Sequence, residues 1–253
     1  MPPARQPLSA VIITLNAASQ LEDCLKSVTF CDEIVVVDSG STDGTQALAE
    51  KYGARVIASA WRGFGPQKQY AVEQAANDWV LCVDADERVS DRLRASIEGA
   101  LASSAHVAYR FPRCNRFMGR YLRHGEGYPD WSLRLFDRRQ GRWSDDPVHE
   151  KVVVRDETGS LAGDLMHDSA ETLESYLAKQ NRYTTLAAQD AIVRGKAAGS
   201  AHLLMSPVFR FIKFYFLRRG FMDGLPGLVH ILIGCGNSFA KYAKMLEAQT
   251  RKP

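Results

Sequence analysis

Apolar positions in the first hundred residues fall into short unbroken runs separated by amphipathic stretches. LSAVIITL (8–15), EIVVVD (33–38), ARVIASA (54–60) and WVLCVD (79–84) each read as a strand, because near-continuous Val, Ile and Leu marks a strand covered on both faces. Helical patterns lie between them. One is opened by a Ser19–Glu22 capping box and runs through Val28, a second runs through Tyr52 and is stopped by Gly53, and a third carries Pro66 in its first turn. A helix from about Asp91 to Leu101 completes the alternation. The pattern predicts an α/β fold with a mostly parallel central sheet and helices on both faces. Ligands of such sheets bind at the carboxyl ends of the strands, where Asn16, Asp38 and Asp84 fall.

The pattern changes after residue 105. VAYRFP and WSLRLFDRR are strand-like, with Gly- and Arg-containing loops around them, and suggest a smaller β-rich addition. Leu173, Tyr176, Leu177, Thr184 and Ala187 then repeat at helical spacing between 171 and 193. The tail SPVFRFIKFYFLRRGFMDGLPG is aromatic and basic together.

At 253 residues with 45% apolar and 24% charged content, the chain can bury a real core. Its net charge of +3 hides an uneven distribution. Residues 1–105 hold 9 basic and 14 acidic side chains, 106–155 hold 11 and 6, and 200–253 hold 8 and 2. Basic segments of this kind suit phosphate or anionic-surface partners. No helix-turn-helix, finger or single-strand-binding signature accompanies them, so no nucleic-acid partner is expected. The five cysteines form no C-x-x-C pair, which points to a reducing compartment. MPPARQPLSAV lacks the layout of a signal peptide, and no run reaches the roughly 18 apolar residues of a membrane span. The expected location is cytoplasmic.

Two stretches carry candidate chemistry. In WVLCVDADERVS an apolar run ends in Asp84, Asp86 and Glu87, and clustered negative charge is costly unless something compensates it. On an extended chain Asp84 and Asp86 point to one side and could share a divalent cation, Mg²⁺ or Mn²⁺. The plainer alternative is a pair of surface acids opening the next helix, with Glu87 a solvated neighbour. In VVVDSGSTDGT, Asp38 ends a strand before small residues at a helix start. That arrangement can hold a nucleotide, with Asp38 accepting from the base and helix-start N–H groups facing an anion. It can equally be a turn with Ser41 or Asp43 as N-cap.

TLNAASQLEDCLKSV, EIVVVDSGSTDGTQALAEKYGA and WVLCVDADERV, in that order and spacing, resemble family 2 glycosyltransferases of the GT-A fold over residues 8–101. PRCNRFMGRYLRHGEGYPDWSLRLFDRR, VHEKV and FLRRGFMDGLPG resemble the narrower branch of lipopolysaccharide core enzymes that includes the heptose 4-β-glucosyltransferases. The resemblance implies a GT-A domain over 1–165, with a nucleotide-binding half (8–105) and an acceptor half (106–165), followed by a helical extension over 166–253. It implies that Thr14, Asn16 and Asp38 line the nucleotide pocket, that Lys68 lies near the donor, that Asp84 contacts ribose or sugar, and that Asp86 ligates the metal. It further implies a UDP-sugar donor, UDP-glucose, and a lipid-linked core oligosaccharide acceptor on the cytoplasmic face of the inner membrane.

Two departures from the family pattern matter. Ser39 stands where a second acid is usual, and the Q-x-x-R-W signature of processive members is absent, which favours transfer of a single sugar.

Inverting transfer needs a base, and Glu150 in PVHEKV and Asp130 in YPDW are the candidates, with Asp145 and Asp146 read as loop acids. His149 could orient the base or acceptor. His167 could approach the metal or diphosphate, or else cap the following helix. Arg210, Lys213 and Arg218 among aromatics suit a membrane interface, or a core helix with snorkelling cations. Two other classes compete with the transferase. A sugar nucleotidyltransferase would need a Gly-rich basic loop where LNAASQLED stands. A silent membrane-surface binder would have no use for Asp38, Asp84, Asp86 and Glu150 together.

Overall fold

Alternate side chains of the first strand part to opposite faces, and each face has its own core. In the computed structural model, which describes residues 5–103, 105–146, 150–169 and 172–250, β1 (Leu8–Thr14) sends Leu8, Ala10 and Ile12 to one side and Val11 to the other. Neighbouring strands do likewise. β2 (Glu33–Asp38) divides Ile34 and Val36 from Val35 and Val37, while in β4 (Trp79–Cys82) Leu81 faces away from Val80 and Cys82. Helices α1 (Ala18–Ser27), α2 (Thr45–Lys51) and α4 (Asp91–Ser103) contribute to the first core, and α3 (Phe64–Gln74) to the second.

With β3 (Arg55–Ala58), strands β1, β2 and β4 pair in parallel, in the order β3-β2-β1-β4. The later strands make the sheet mixed. They are β5 (Glu87–Val89), β6 (Ala108–Phe117), β7 (Arg120–Tyr121), β8 (Asp130–Asp137), β9 (Gly141–Trp143), β10 (Val152–Val154), β11 (Gly159–Ser160) and β12 (Leu165–His167). β8 adds antiparallel to β4, and the order continues β8-β6-β12-β5. The pairing of β12 with β5 sets His167 opposite Glu87. β9 and β10 form a separate two-stranded ribbon.

Contacts divide the chain into two units, residues 1–113 with 130–167, and 114–129 with 168–253. The chain therefore leaves the first unit after Arg113 and returns at Asp130. In the second unit, α5 (Leu173–Val193) and α7 (Gly224–Thr250) pack around Ala188, Ala191, Ala198 and Met245, and α6 (Ser200–Phe211) packs on α7. A π-helical segment, Ile212–Leu217, extends α6, and a 3-10 turn, Gly220–Asp223, leads into α7. Asp223 is buried and accepts the backbone N–H groups of Arg123 and His124, tying the 114–129 hairpin to these helices.

Two local expectations are corrected. Ser19 and Glu22 form no capping box: α1 begins at Ala18, and its first N–H groups are accepted by Thr45 Oγ1 (2.9 Å from Ala17 N) and Asp43 Oδ2 (3.0 Å from Ala18 N). Glu22 instead accepts from the Tyr52 hydroxyl. Strand β4 also ends at Cys82, two residues early, so Asp84 and Asp86 lie in a turn and do not share one side of an extended chain. That turn is closed by Glu87 N–H donating to Asp84 O at 2.9 Å.

Gly163 precedes the strand that carries His167. Its φ is +103°, and a Cβ there would strike the Leu93 and Arg92 backbone at the start of α4. Gly163→Ala should therefore lose about 2 kcal/mol or more, seen as a fall of about 4–8 °C in Tm by calorimetry. Gly99→Ala, in α4 with open space around it, should leave Tm unchanged or slightly raised.

Candidate active site

The loop after β2 is organised around one carboxylate. Asp38 is 0% exposed. Its Oδ1 accepts from Gly40 N (3.1 Å), Ser41 N (2.9 Å) and Gln46 Nε2 (2.6 Å), and its Oδ2 from Thr14 Oγ1 (2.9 Å) and the Ser41 hydroxyl. Burial alone would raise this carboxyl; the donors, Ser41 first, outweigh it and hold the group below the ordinary value. Asn16 latches the same loop from β1. It lies at φ 49°, its N–H donates to Ser41 Oγ, and its Oδ1 accepts from Thr42 N. Thr14, Asn16 and Asp38 are thus brought together. For Asp38 itself to address a base edge, one of its five donors would have to give way. Gly44, and not Ser41 or Asp43, occupies the N-cap of α2, while Asp43 Oδ1 accepts the Thr45 N–H at 3.1 Å.

Beside this loop runs a chain of alternating charge. Glu150 Oε1 lies 3.3 Å from Lys68 Nζ, which lies 3.1 Å from Asp84. Asp84 Oδ2 is 2.7 Å from Arg134 Nη2, which reaches Glu87 Oε1 at 3.4 Å. Glu87 meets Arg113 at 3.5 Å, and Arg113 meets Asp130 at 2.8 Å. Burial works against the charged form of Asp84, yet Arg134 and Lys68 hold its carboxyl well below the usual range. Burial pushes the Glu87 carboxyl up, with Arg134 offsetting part of the rise and Asp84 adding to it. Lys68 and Arg134 also flank the Trp143 ring, at 4.8 and 5.3 Å from its centroid. Gly65, on the first turn of α3, lets that helix approach Ser144 and Glu150: a Cβ there would strike Ser144 O and lie 3.3 Å from Glu150 Cβ.

Asp86 stands outside this chain and faces His167, with Oδ2 and Nε2 3.2 Å apart. Among the described residues no group of three or more His, Cys, Asp and Glu side chains could hold a metal. Mg²⁺ and Mn²⁺ sites, however, commonly use one or two protein ligands and complete their shell with water and substrate phosphate. Adjacent ligands of an octahedral ion about 2.1 Å away lie about 3 Å apart. The half-buried oxygen–nitrogen pair of Asp86 and His167 fits that requirement.

A family model described as Glycosyl transferase family 2 matches residues 9–154, more than half of the chain. The chain belongs to glycosyl transferase family 2. The match spans Asp38, Lys68, Asp84, Asp86, Asp130 and Glu150, and stops short of His167. This family 2 enzyme is 34% identical to the lipopolysaccharide core biosynthesis glycosyltransferase LpsC of Rhizobium meliloti over 97% of this chain and 94% of LpsC. Two solved structures share its GT-A fold. Mannosyltransferase PcManGT from Pyrobaculum calidifontis, in complex with GDP-Man and Mn²⁺, covers 99% of this chain and 88% of its own, with 17% identity and a TM-score of 0.53. TarS of S. aureus, in complex with UDP, covers 96% and 91%, with 14% identity and a TM-score of 0.51.

Within the family 2 domain, Lys68, Asp84 and Glu150 converge, while Asp130 is linked to them through Arg113 and Glu87. His149 lies outside the described residues. Glu87 is not the solvated neighbour of the plainer reading: it is 0% exposed. Arg113 and Arg134 were missed by sequence reasoning, although Arg134 left a sign. An arginine between Leu133 and Leu135 in an apolar strand needs a buried anion opposite it.

Asp38→Ala strands Thr14, Ser41 and Gln46 as donors. The family 2 domain should lose about 2–4 kcal/mol, read as a lower midpoint in urea. Because the folded carboxyl titrates below an unfolded one, its stabilisation is complete above about pH 4. That stabilisation drains away as pH falls toward the folded value, so the variant should show a shallower acid-unfolding slope below pH 4.

Proposed function

We propose that this family 2 glycosyltransferase moves one sugar, glucose, from UDP-glucose to the inner core of a lipid-linked oligosaccharide, with inversion at the anomeric carbon. The observation that carries the reading is the position of Lys68 between Asp84 and Glu150. One ammonium joins the acid at the carboxyl end of β4, on the donor side, to the carboxylate best disposed to act as base. The nucleoside-diphosphate ligands of PcManGT and TarS support the donor class, and likeness to LpsC supports the acceptor class. The absence of Q-x-x-R-W supports single transfer.

Thr14, Asn16 and Asp38 shape the nucleotide pocket, Asp38 through the loop it orders. Lys68 meets the diphosphate and Asp84 the ribose or sugar. The acceptor oxygen attacks the anomeric carbon, its proton passes to Glu150, and the bonding pair leaves with UDP. Asp130 is the second candidate for that proton, although its carboxylate is committed to Arg113. Asp86 and His167 are the groups that would hold Mg²⁺ or Mn²⁺, which offsets charge on a departing diphosphate.

The helical unit supports a membrane-surface location. No residue of α6 or the π segment is buried, and Phe209 is 62% and Leu217 76% exposed. Between Lys196 and Leu246 the chain holds seven basic residues and one acid, the buried Asp223. Apolar side chains exposed at this density, among cations, suit the interface of an anionic bilayer. Among the described residues no helix is long and apolar enough to cross a membrane, so the attachment is peripheral, on the cytoplasmic face of the inner membrane.

Asp86→Ala should abolish Mn²⁺-dependent UDP binding in calorimetry, and unchanged affinity would remove Asp86 from the cation site. Glu150→Gln should keep UDP affinity and lose about 10²-fold or more in turnover. Normal turnover there, with Asp130→Asn inactive, would move the base to Asp130. The protein should bind anionic vesicles and be partly released by salt, whereas equal, salt-insensitive binding to neutral vesicles would count against the electrostatic contribution.

A further inference from the structure

Glu87 is the acid for which the proposed reaction has no use. It is wholly buried, and its environment is specific. Its Oε2 accepts the Asp84 N–H at 3.0 Å while its own N–H donates to Asp84 O at 2.9 Å, so the turn carrying Asp84 and Asp86 is closed from both ends. It begins β5, whose partner β12 brings His167 to Asp86. It also shares the Arg134 guanidinium with Asp84, and the Nη1 of that buried arginine has no hydrogen-bond partner among the described residues.

Stability does not account for this arrangement. A buried acid–arginine pair commonly contributes no more than apolar side chains of equal volume. Its effect on local charge is more telling. Asp84 faces two cations, Lys68 and Arg134, and if both were wholly its own the Asp84–Asp86 pair would be electrically spent. A third acid behind the turn takes part of Arg134 and returns negative charge to the front.

We propose that Glu87 is a positioning residue: it latches the Asp84–Glu87 turn and draws Arg134 off Asp84, so that the Asp84–Asp86 face keeps the charge that a divalent cation and nucleotide diphosphate require. The charge part rests on the cation reading above; the latch does not. Arg134 is the lever, a fixed cation divided between a front and a rear carboxylate. Removing the rear carboxylate hands the arginine to Asp84, and removing the arginine as well cancels that transfer.

The test is a double-mutant cycle on the full chain, with Mn²⁺ binding in the presence of UDP followed by electron paramagnetic resonance and Tm measured alongside. Glu87→Gln keeps the shape and an acceptor for Asp84 N–H, and should weaken Mn²⁺ binding about tenfold or more. Adding Arg134→Met to it should restore affinity to within about threefold of wild type. Wild-type affinity in Glu87→Gln, or a double variant no tighter than the single, overturns the charge role. A merely structural role would lower Tm and affinity together, with no recovery in the double variant.

The latch is read without metal, by amide hydrogen exchange over residues 83–87. Glu87→Ala should speed exchange there about tenfold or more while β1 keeps its protection, and unchanged exchange overturns the latch. A wild-type chain that takes up no Mn²⁺ with UDP would remove the cation reading and the charge role with it, leaving exchange to decide the latch.

Discussion

The ion pair between Asp84 and Arg134 is the constraint on which the site depends. Charge at the end of β4 is tolerable only because β8, the strand added antiparallel beside it, delivers a guanidinium to 2.7 Å. Taken singly, either ion would be a costly guest. Taken together they seed a chain that runs from Glu150 to Asp130 and collects charges from several elements. The mixed part of the sheet is thereby electrostatically tied to the parallel part. The three acids that close the apolar run at 79–83 have separate fates. Asp84 enters the ion-pair chain at its front, Glu87 enters it from the buried side, and Asp86 turns to His167.

What could be read from the chain follows from how local each signal is. The four early strands and their helices are legible because burial on both faces writes itself into consecutive residues. The loop of Asp38 is legible as a motif, since acid, serine and glycine lie within a few positions of one another. The burial of Glu87 is not, because its partners Arg113 and Arg134 lie 26 and 47 residues away and nothing beside it announces them. The same holds for α1, where Ser-x-x-Glu satisfied a local rule while Thr45 and Asp43 did the capping from the next loop. Segment 114–129 belongs with helices that begin some forty residues later, and no linear reading of composition carries that information.

The family match and the likeness to LpsC cover different shares of the chain. The family model ends at residue 154, and the helical unit lies largely beyond it. The likeness to LpsC runs over 97% of the chain and so takes in that unit as well. The family 2 match takes in most of the sheet and the acidic turn of this chain. What this enzyme has in common with a lipopolysaccharide core enzyme includes a basic, aromatic set of helices that leaves much of its apolar surface uncovered.

The close approach at Gly65 has a geometric consequence. α3 meets the Ser144 carbonyl and the Glu150 Cβ there, with no room for a side chain on residue 65. The spacing between the first turn of α3 and Ser144 is therefore gauged by main-chain thickness, which no exchange of rotamers can retune. Sequence change elsewhere can alter which groups surround Lys68 and Glu150. The approach at Gly65 behaves as a fixed calibre.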